Sequence, residues 1–348
     1  RDGENALVEE TVEYQNAAQP PLWEKEGYSL TWDKDFSCII ENITVEAVWT
    51  AEDYIVTLFW GYLDINMMIE VTFEEEYGTL VTPSRTGFVF DGWFTESQGG
   101  ELVDATTQVT IADAHSLHAQ WSQIKTNEAE LKEAIANAEE GDTIYVSGTI
   151  NFENPDGTGP FNDSITALYI DKNITIEGVG EAVFTSSMTN FTGTKERIVV
   201  LVYMTTGVLN NINISRPSNI DGANLMMSGV HLIGDACIVN CTIQNFRTGV
   251  EARGDNAILG NIIEDSRTGI IYIASDTDKP MLTIMDNTIR ENRTLGIVFN
   301  DGGSFGGTPN YDGKVYDEGY EIVICGNRIY DNWFAAFESR NLNQIDIS

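Results

Sequence analysis

The chain has 348 residues, 42% of them apolar, and carries 54 Asp and Glu against 19 Lys and Arg, a net charge of −35. That length allows two or three domains with real cores, and a field of that sign excludes nucleic acid and anionic membrane as general partners. The four cysteines, at 38, 237, 241 and 325, have neither zinc spacing nor the density of a disulfide scaffold, and no signal peptide or membrane-spanning apolar run occurs.

The first fifty residues carry Val12, Tyr14, Pro20, Pro21, Gly27, Tyr28, Trp32, Phe36 and a closing run from Ile43 to Trp49. The next seventy show the same order more fully. Alternating strands are predicted over 55–60, 69–73 and 109–111, because apolar residues recur at every second position. Between them stands the run from Pro83 to Thr95, with Gly87 and Gly92 as turn residues and Phe88, Phe90, Trp93 and Trp121 as core candidates. Acid dominates this half: before Gln123 the only basic residues are Arg1, Lys25, Lys34 and Arg85.

Pro83, Arg85, Gly87, Phe88, Phe90, Asp91, Gly92, Trp93, Phe94 and the closing Ala119, Gln120 and Trp121 closely resemble the Listeria–Bacteroides, or internalin B-type, repeat. The resemblance implies a small β-rich module of the β-grasp type, strung in tandem on bacterial surface proteins. Residues 51–122 are expected to be one such repeat and residues 1–50 a partial copy. In the copy the glycine before the tryptophan is missing, since Thr31 precedes Trp32. The chain is expected to be a fragment of a longer protein.

From Thr126 the pattern changes. Asn127 is placed to cap a helix with Glu130 at the capping-box position, Leu131, Ile135 and Ala138 fall on one face, and Gly141 ends the run. Short apolar strands follow around 143–146, 167–170 and 174–178. Then one phrase returns four times: Ile238, Cys241, Ile243; Ile258, Asn261, Ile263; Ile284, Asn287, Ile289; and Ile324, Asn327, Ile329. A strand this short cannot bury its inner face alone, so copies at coil-sized spacing must stack on one another, the logic of a solenoid. The predicted fold is all-β, with residues 123–348 as a parallel β-helix. The inner aliphatics should form ladders, and Asn261, Asn287 and Asn327 an inward amide ladder. Cys241 takes the Asn slot as a small core residue, and Gly249, Gly269 and Gly296 are expected as the following turn.

The capped helix, the glycine, and the short strands after it resemble the entry of right-handed parallel β-helix proteins of the pectate-lyase-like (pectin lyase fold) group. There a helix covers the first coil and hides its strand edge. Well-known catalytic motifs of such proteins are absent. No Asn-Thr-Asp, Gly-His-Gly or Asp-Pro-His run occurs, and the stretch from Arg216 lacks the second Arg of the pectate-lyase pattern.

Chemistry must then come from side chains that the coils stack. Arg247, Arg267 and Arg293 each stand six residues past the ladder position, so they should lie above one another, about one coil spacing or ~4.8 Å apart. Three stacked guanidinium groups require an anion between them. Asn245, Asp265, Glu291 and Asp331 align two residues earlier and Glu264 is adjacent, so the anion is either protein, as a neutral surface ladder, or ligand. The ligand reading is a groove that grips the carboxylates of an acidic polysaccharide. A lyase of chondroitinase B-like type stays open, with Arg247 or Arg267 as base and calcium on Glu264, Asp265 and Glu291. No other cofactor is implied. His115, His118 and His231 are unpaired in sequence and expected to be structural. The glycine-rich loop at 300–314 is a further place for a ligand or calcium, and the sequons at Asn42, Asn162, Asn173, Asn190, Asn213, Asn240 and Asn292 are expected to be mostly accidental.

Together these features predict an extracellular, cell-surface or cell-wall protein. Its repeats act as a stalk, and its β-helix binds glycan or a host surface ligand in an adhesin-like way. The alternatives are a polysaccharide lyase or glycoside hydrolase of unusual type, and a structural protein that stacks end to end.

Overall fold

A computed structural model describes residues 8–153, 157–158, 164–186, 198–216, 227–273, 281–300 and 321–339. The chain divides into two compact units, Arg1–Gln123 and Ile124–Ser348.

The first unit contains both repeat-like modules. The fuller one is a five-stranded sheet in the order Asn66–Thr72, Asp53–Phe59, His115–Gln123, Phe88–Phe94, Leu102–Val103. Only the Asp53–Phe59 pairing with His115–Gln123 is parallel. Val56, Leu58, Val71, Trp93, Val103, Val109, Leu117 and Ala119 form its core, with Phe90 and Trp121 packed against it. Two of its indoles find acceptors, Trp93 Nε1 donating to Val81 O and Trp121 Nε1 to Trp60 O, each at 2.8 Å. Gly92 sits at a β-bulge with φ 142°, a backbone conformation that residues with a Cβ rarely adopt, so the bulge calls for glycine.

Residues 8–50 hold a smaller, two-stranded sheet. Tyr28–Trp32 pairs antiparallel with Ala47–Ala51, Leu30 opposite Trp49 as Phe90 is opposite Trp121. The bulge is absent because Thr31 stands where the repeat has glycine. Gln15 and Glu74 share left-handed φ values of 68° and 62°. Gln15 N donates to Ile39 O as Glu74 N donates to Val109 O. The two modules are joined without a linker: Glu52 N donates to Gly27 O, Phe73 N to Glu52 O, and the Tyr28 and Phe73 rings meet edge to face at 5.8 Å. That is why 1–50 and 51–122 form one unit.

The second unit opens with the helix Glu128–Asn137. Asn127 Oδ1 accepts from Glu130 N at 3.0 Å, and Glu130 reaches back to Thr126 N at 3.1 Å, one residue before the usual capping-box partner. Leu131 and Ile135 belong to the solenoid core, and Lys172 Nζ donates to the last carbonyls, Ala136 O and Ala138 O.

Behind the helix the chain winds as a parallel β-helix with three faces. The first face stacks Ile144, Ile176, Leu209, Ile238, Ile258, Ile284 and Ile324. The second stacks Ile150, Phe184, Ile214, Ile243, Ile263, Ile289 and Ile329. The third stacks Leu168, Val202, Val230, Val250, Ile270, Ile297 and Phe337. Each fully buried aliphatic contributes roughly 1.5–3 kcal/mol, which the isolated coil could not realise. The last four coils are 20, 26 and 40 residues apart on the same ladder.

Two of the bends between faces carry columns of recurring residues. Between the first and second faces a left-handed residue recurs in every coil: Gly148, Gly180, Asn211, Asn240, Gly260, Asp286 and Gly326. After it comes the expected amide ladder, in which Asn261 Nδ2 donates to Asn287 Oδ1 at 3.0 Å and Asn287 Nδ2 to Asn327 Oδ1 at 2.9 Å. Cys241 N donates to Asn261 Oδ1 at 2.8 Å, so the cysteine continues the column. The bend between the second and third faces holds a second column. Ser266 N donates to Asn292 Oδ1, and Asn292 Nδ2 to Asn332 Oδ1 at 2.9 Å. Asn292 is buried, which makes its sequon unusable in the folded protein.

Gly249, Gly269 and Gly296 are not turn residues. They lie inside the strands Thr248–Arg253, Thr268–Ile273 and Leu295–Asn300, without positive φ. A Cβ on Gly269 would meet Gly296 O at 2.5 Å and Ile289 Cγ2 at 2.9 Å, so what excludes a side chain is the close approach of successive coils.

Candidate functional site

The arginine row forms as the spacing predicts. Thr268 N donates to Arg247 O at 3.0 Å, Thr294 N to Arg267 O at 2.8 Å, and Arg293 N to Ser266 O at 2.7 Å, which stacks the three arginines coil on coil beside the second bend. Arg267 and Arg293 are exposed and Arg247 is half-buried. Among the described residues none of the three makes an ion pair or a side-chain hydrogen bond.

The acids beside the row do not neutralise it. Asp265 and Glu291, with Asn245 and Asp331, are the left-handed residues of the second bend, with φ of 50°, 57°, 67° and 54°. Their recurrence reflects backbone conformation, which Asn and Asp tolerate best. Glu264 lies on the outer side of the second face and is engaged by Arg290, Nε and Nη2 each 2.7 Å from Oε2. That contact holds Arg290 above its ordinary pKa. Among the described residues no three His, Cys, Asp or Glu side chains converge as a metal site. The loop at 300–314 lies outside the described residues apart from Asn300.

Counting six residues past Asn327 reaches Trp333, where Trp333 N donates to Asn292 O at 3.0 Å and Phe334 N to Thr294 O at 2.7 Å. The row therefore runs Arg247, Arg267, Arg293, Trp333. Trp333 and Phe334 are each 83% exposed. Tyr330 continues the Glu264–Arg290 column and accepts from Arg290 Nη1 at 3.5 Å, and the Arg328 guanidinium lies 5.9 Å from its ring centroid. Cationic and aromatic side chains thus share one edge. The signal was in the sequence, because the fourth copy of the phrase keeps its spacing.

A second polar row was hidden in the sequence. Tyr169, Tyr203, His231 and Glu251 share one column on the outer side of the third face, a position only the register reveals. Tyr169 and Tyr203 rings stand 5.6 Å apart and Tyr203 and His231 rings 6.1 Å. Glu251 Oε2 lies 3.4 Å from His231 Nε2, and its Oε1 accepts from Arg253 Nη2 at 2.9 Å. Burial lowers the His231 pKa below its ordinary value against the opposing pull of Glu251, and burial pushes Tyr203 up to about 12. His231 is therefore not alone, as its sequence surroundings suggested, although its burial fits a structural role. His115 and His118 belong to the repeat sheet, His115 Nε2 hydrogen-bonded to Tyr77 Oη at 2.6 Å and His118 stacked on Phe59.

Residues 63–120 match the Listeria–Bacteroides repeat domain. The chain is also 29% identical over 138 residues to a protein of Evansella cellulosilytica named "Putative membrane protein"; the match covers 35% of this chain and spans 20% of that protein. No solved structure matches the chain. Among the described residues no helix is long and apolar enough to cross a membrane.

Proposed function

We propose that this chain is part of a bacterial cell-envelope or secreted protein in which the repeat unit serves as a stalk and the β-helix binds an acidic polysaccharide along Arg247, Arg267 and Arg293 toward Trp333. The observation that carries the reading is the unpaired row. In a chain of net charge −35 with acids at neighbouring positions, three stacked guanidinium groups remain without partners among the described residues. Guanidinium pairs carboxylate and sulfate through two parallel hydrogen bonds, and an exposed indole stacks on the apolar face of a sugar ring. Coil spacing sets one cation per ~4.8 Å, which suits a polymer with one acidic group per residue lying along the solenoid axis. The repeat match and the name of the Evansella protein support the envelope location.

Binding is favoured over lyase chemistry because Glu264 is committed to Arg290 while Asp265 and Glu291 shape the bend. The test is a binding screen of pectin, alginate and sulfated glycosaminoglycans, with and without calcium. The triple change of Arg247, Arg267 and Arg293 to Ala should abolish binding, leave the melting temperature within about a degree or two, and remove a steep salt dependence. Binding of none of the three classes would refute the reading. Calcium-dependent release of unsaturated sugar, seen by ultraviolet absorbance, would replace it with the lyase alternative.

A further inference from the structure

The arginine that best demands a ligand lies outside the predicted row. Arg216 follows Ser215, and Ser215 pairs with Gln244, so Arg216 stands at the second bend one coil before Asn245 and close in register to Arg247. It is only 9% exposed, and its Nε and Nη2 are buried without any hydrogen-bond partner. Among the described residues no ion pair satisfies it either. This differs in kind from the row, since exposed N–H groups are satisfied by water while buried, unpaired ones such as Arg216 Nε and Nη2 carry a desolvation penalty. Burial alone pulls its pKa down, with no carboxylate opposing. The third-face strands begin with a column of largely buried residues, Ser228 paired to Thr248 and Thr248 to Thr268, and the Thr268 hydroxyl is already hydrogen-bonded to Thr294 at 3.1 Å. A guanidinium with unmatched N–H donors suits an oxyanion.

We infer that Arg216 is the anchor of an oxyanion-binding site at the second bend, taking a carboxylate or a sulfate or phosphate group. The site stands independently of the arginine row. If the row binds glycan, Arg216 holds one acidic group of the same ligand with its charge desolvated, and so supplies more affinity than any exposed arginine.

The experiment uses the full chain, with sodium sulfate, sodium phosphate and sodium galacturonate compared against sodium chloride at matched ionic strength. Melting temperature and calorimetric binding are followed for wild type, Arg216→Met, Arg216→Lys, and the triple alanine variant of the row. Wild type should be stabilised by at least one oxyanion beyond chloride, by linkage to binding. Arg216→Met should melt at or above wild type without oxyanion, because an unpaired buried charge is gone, and should lose the oxyanion response. Arg216→Lys keeps the charge but not the planar fork, and should bind about tenfold more weakly or worse. The triple alanine variant should retain the wild-type response. An equal response in wild type and Arg216→Met, or none in wild type beyond chloride, overturns the assignment. If Arg216→Met fails to fold, Arg216→Lys decides: unchanged oxyanion affinity overturns it, and weakened affinity supports it. Loss of polysaccharide binding with oxyanion binding intact would refute the glycan reading alone.

Discussion

The two units bury their cores by opposite means. The repeat sheet is finite: its core hangs on a few aromatic anchors at fixed places, with Trp93 and Trp121 each tied by an indole hydrogen bond. The β-helix has no single anchor. Its core is the same small set of inward columns used coil after coil, and any residue's role follows from its column. In the sheet a substitution acts once; in the solenoid it acts on the coils before and after it. In the smaller sheet Thr31 stands where the larger has Gly92 and the bulge is absent.

This contrast can be broken at its strongest point first. Ile263→Asp places a carboxylate between Ile243 and Ile289 in a dry column and should cost more than about 5 kcal/mol, from lost burial and an unpaired charge. Far-ultraviolet circular dichroism should show loss of the β-helix. Tryptophan fluorescence should change little, since six of the seven tryptophans, Trp23, Trp32, Trp49, Trp60, Trp93 and Trp121, lie in the other unit and Trp333 of the β-helix is already exposed. Trp93→Ala should do the reverse at about 3–5 kcal/mol, collapsing the fluorescence while the β-helix melts as before. Simultaneous loss of both units in either variant would show that they are not separate folding units.

Smaller changes sharpen the column rule. Asn287→Ala removes an amide bonded to Asn327 Oδ1 and Ile258 O and orphans Asn261 N, and should cost about 1–3 kcal/mol in urea titration. A surface-sized effect would mean that the amide ladder is passive. The smallest expected effect is one of pH. His231 has a lowered pKa in the folded state, so the unfolded chain binds the extra proton as pH falls below about 6.5. Its contribution to stability is present above that pH and declines below it, by at most ~1.4 kcal/mol per pH unit until the folded pKa is reached. His231→Gln should flatten that part of the stability profile, and an unchanged slope would show that His231 does not titrate differently on folding.

The sequence by itself determined the ladders, the capped helix, the repeat module and the arginine stack, because each is set by local spacing: alternation for strands, a capping pair for the helix, and a phrase whose copies must coincide once coils stack. Spacing also held Trp333, since the fourth phrase keeps its count. Other features depended on where coils of unequal length return. The 20-, 26- and 40-residue separations decide which residues become neighbours, so Tyr203, His231 and Glu251 meet only in the folded register. Whether Asp265 and Glu291 serve as partners or as bend residues was decided by a backbone angle that their identity allows but does not impose. Whether an arginine is left without a partner is likewise a tertiary matter, because pairing requires a carboxylate within a few ångströms in space, and distance along the chain does not set that.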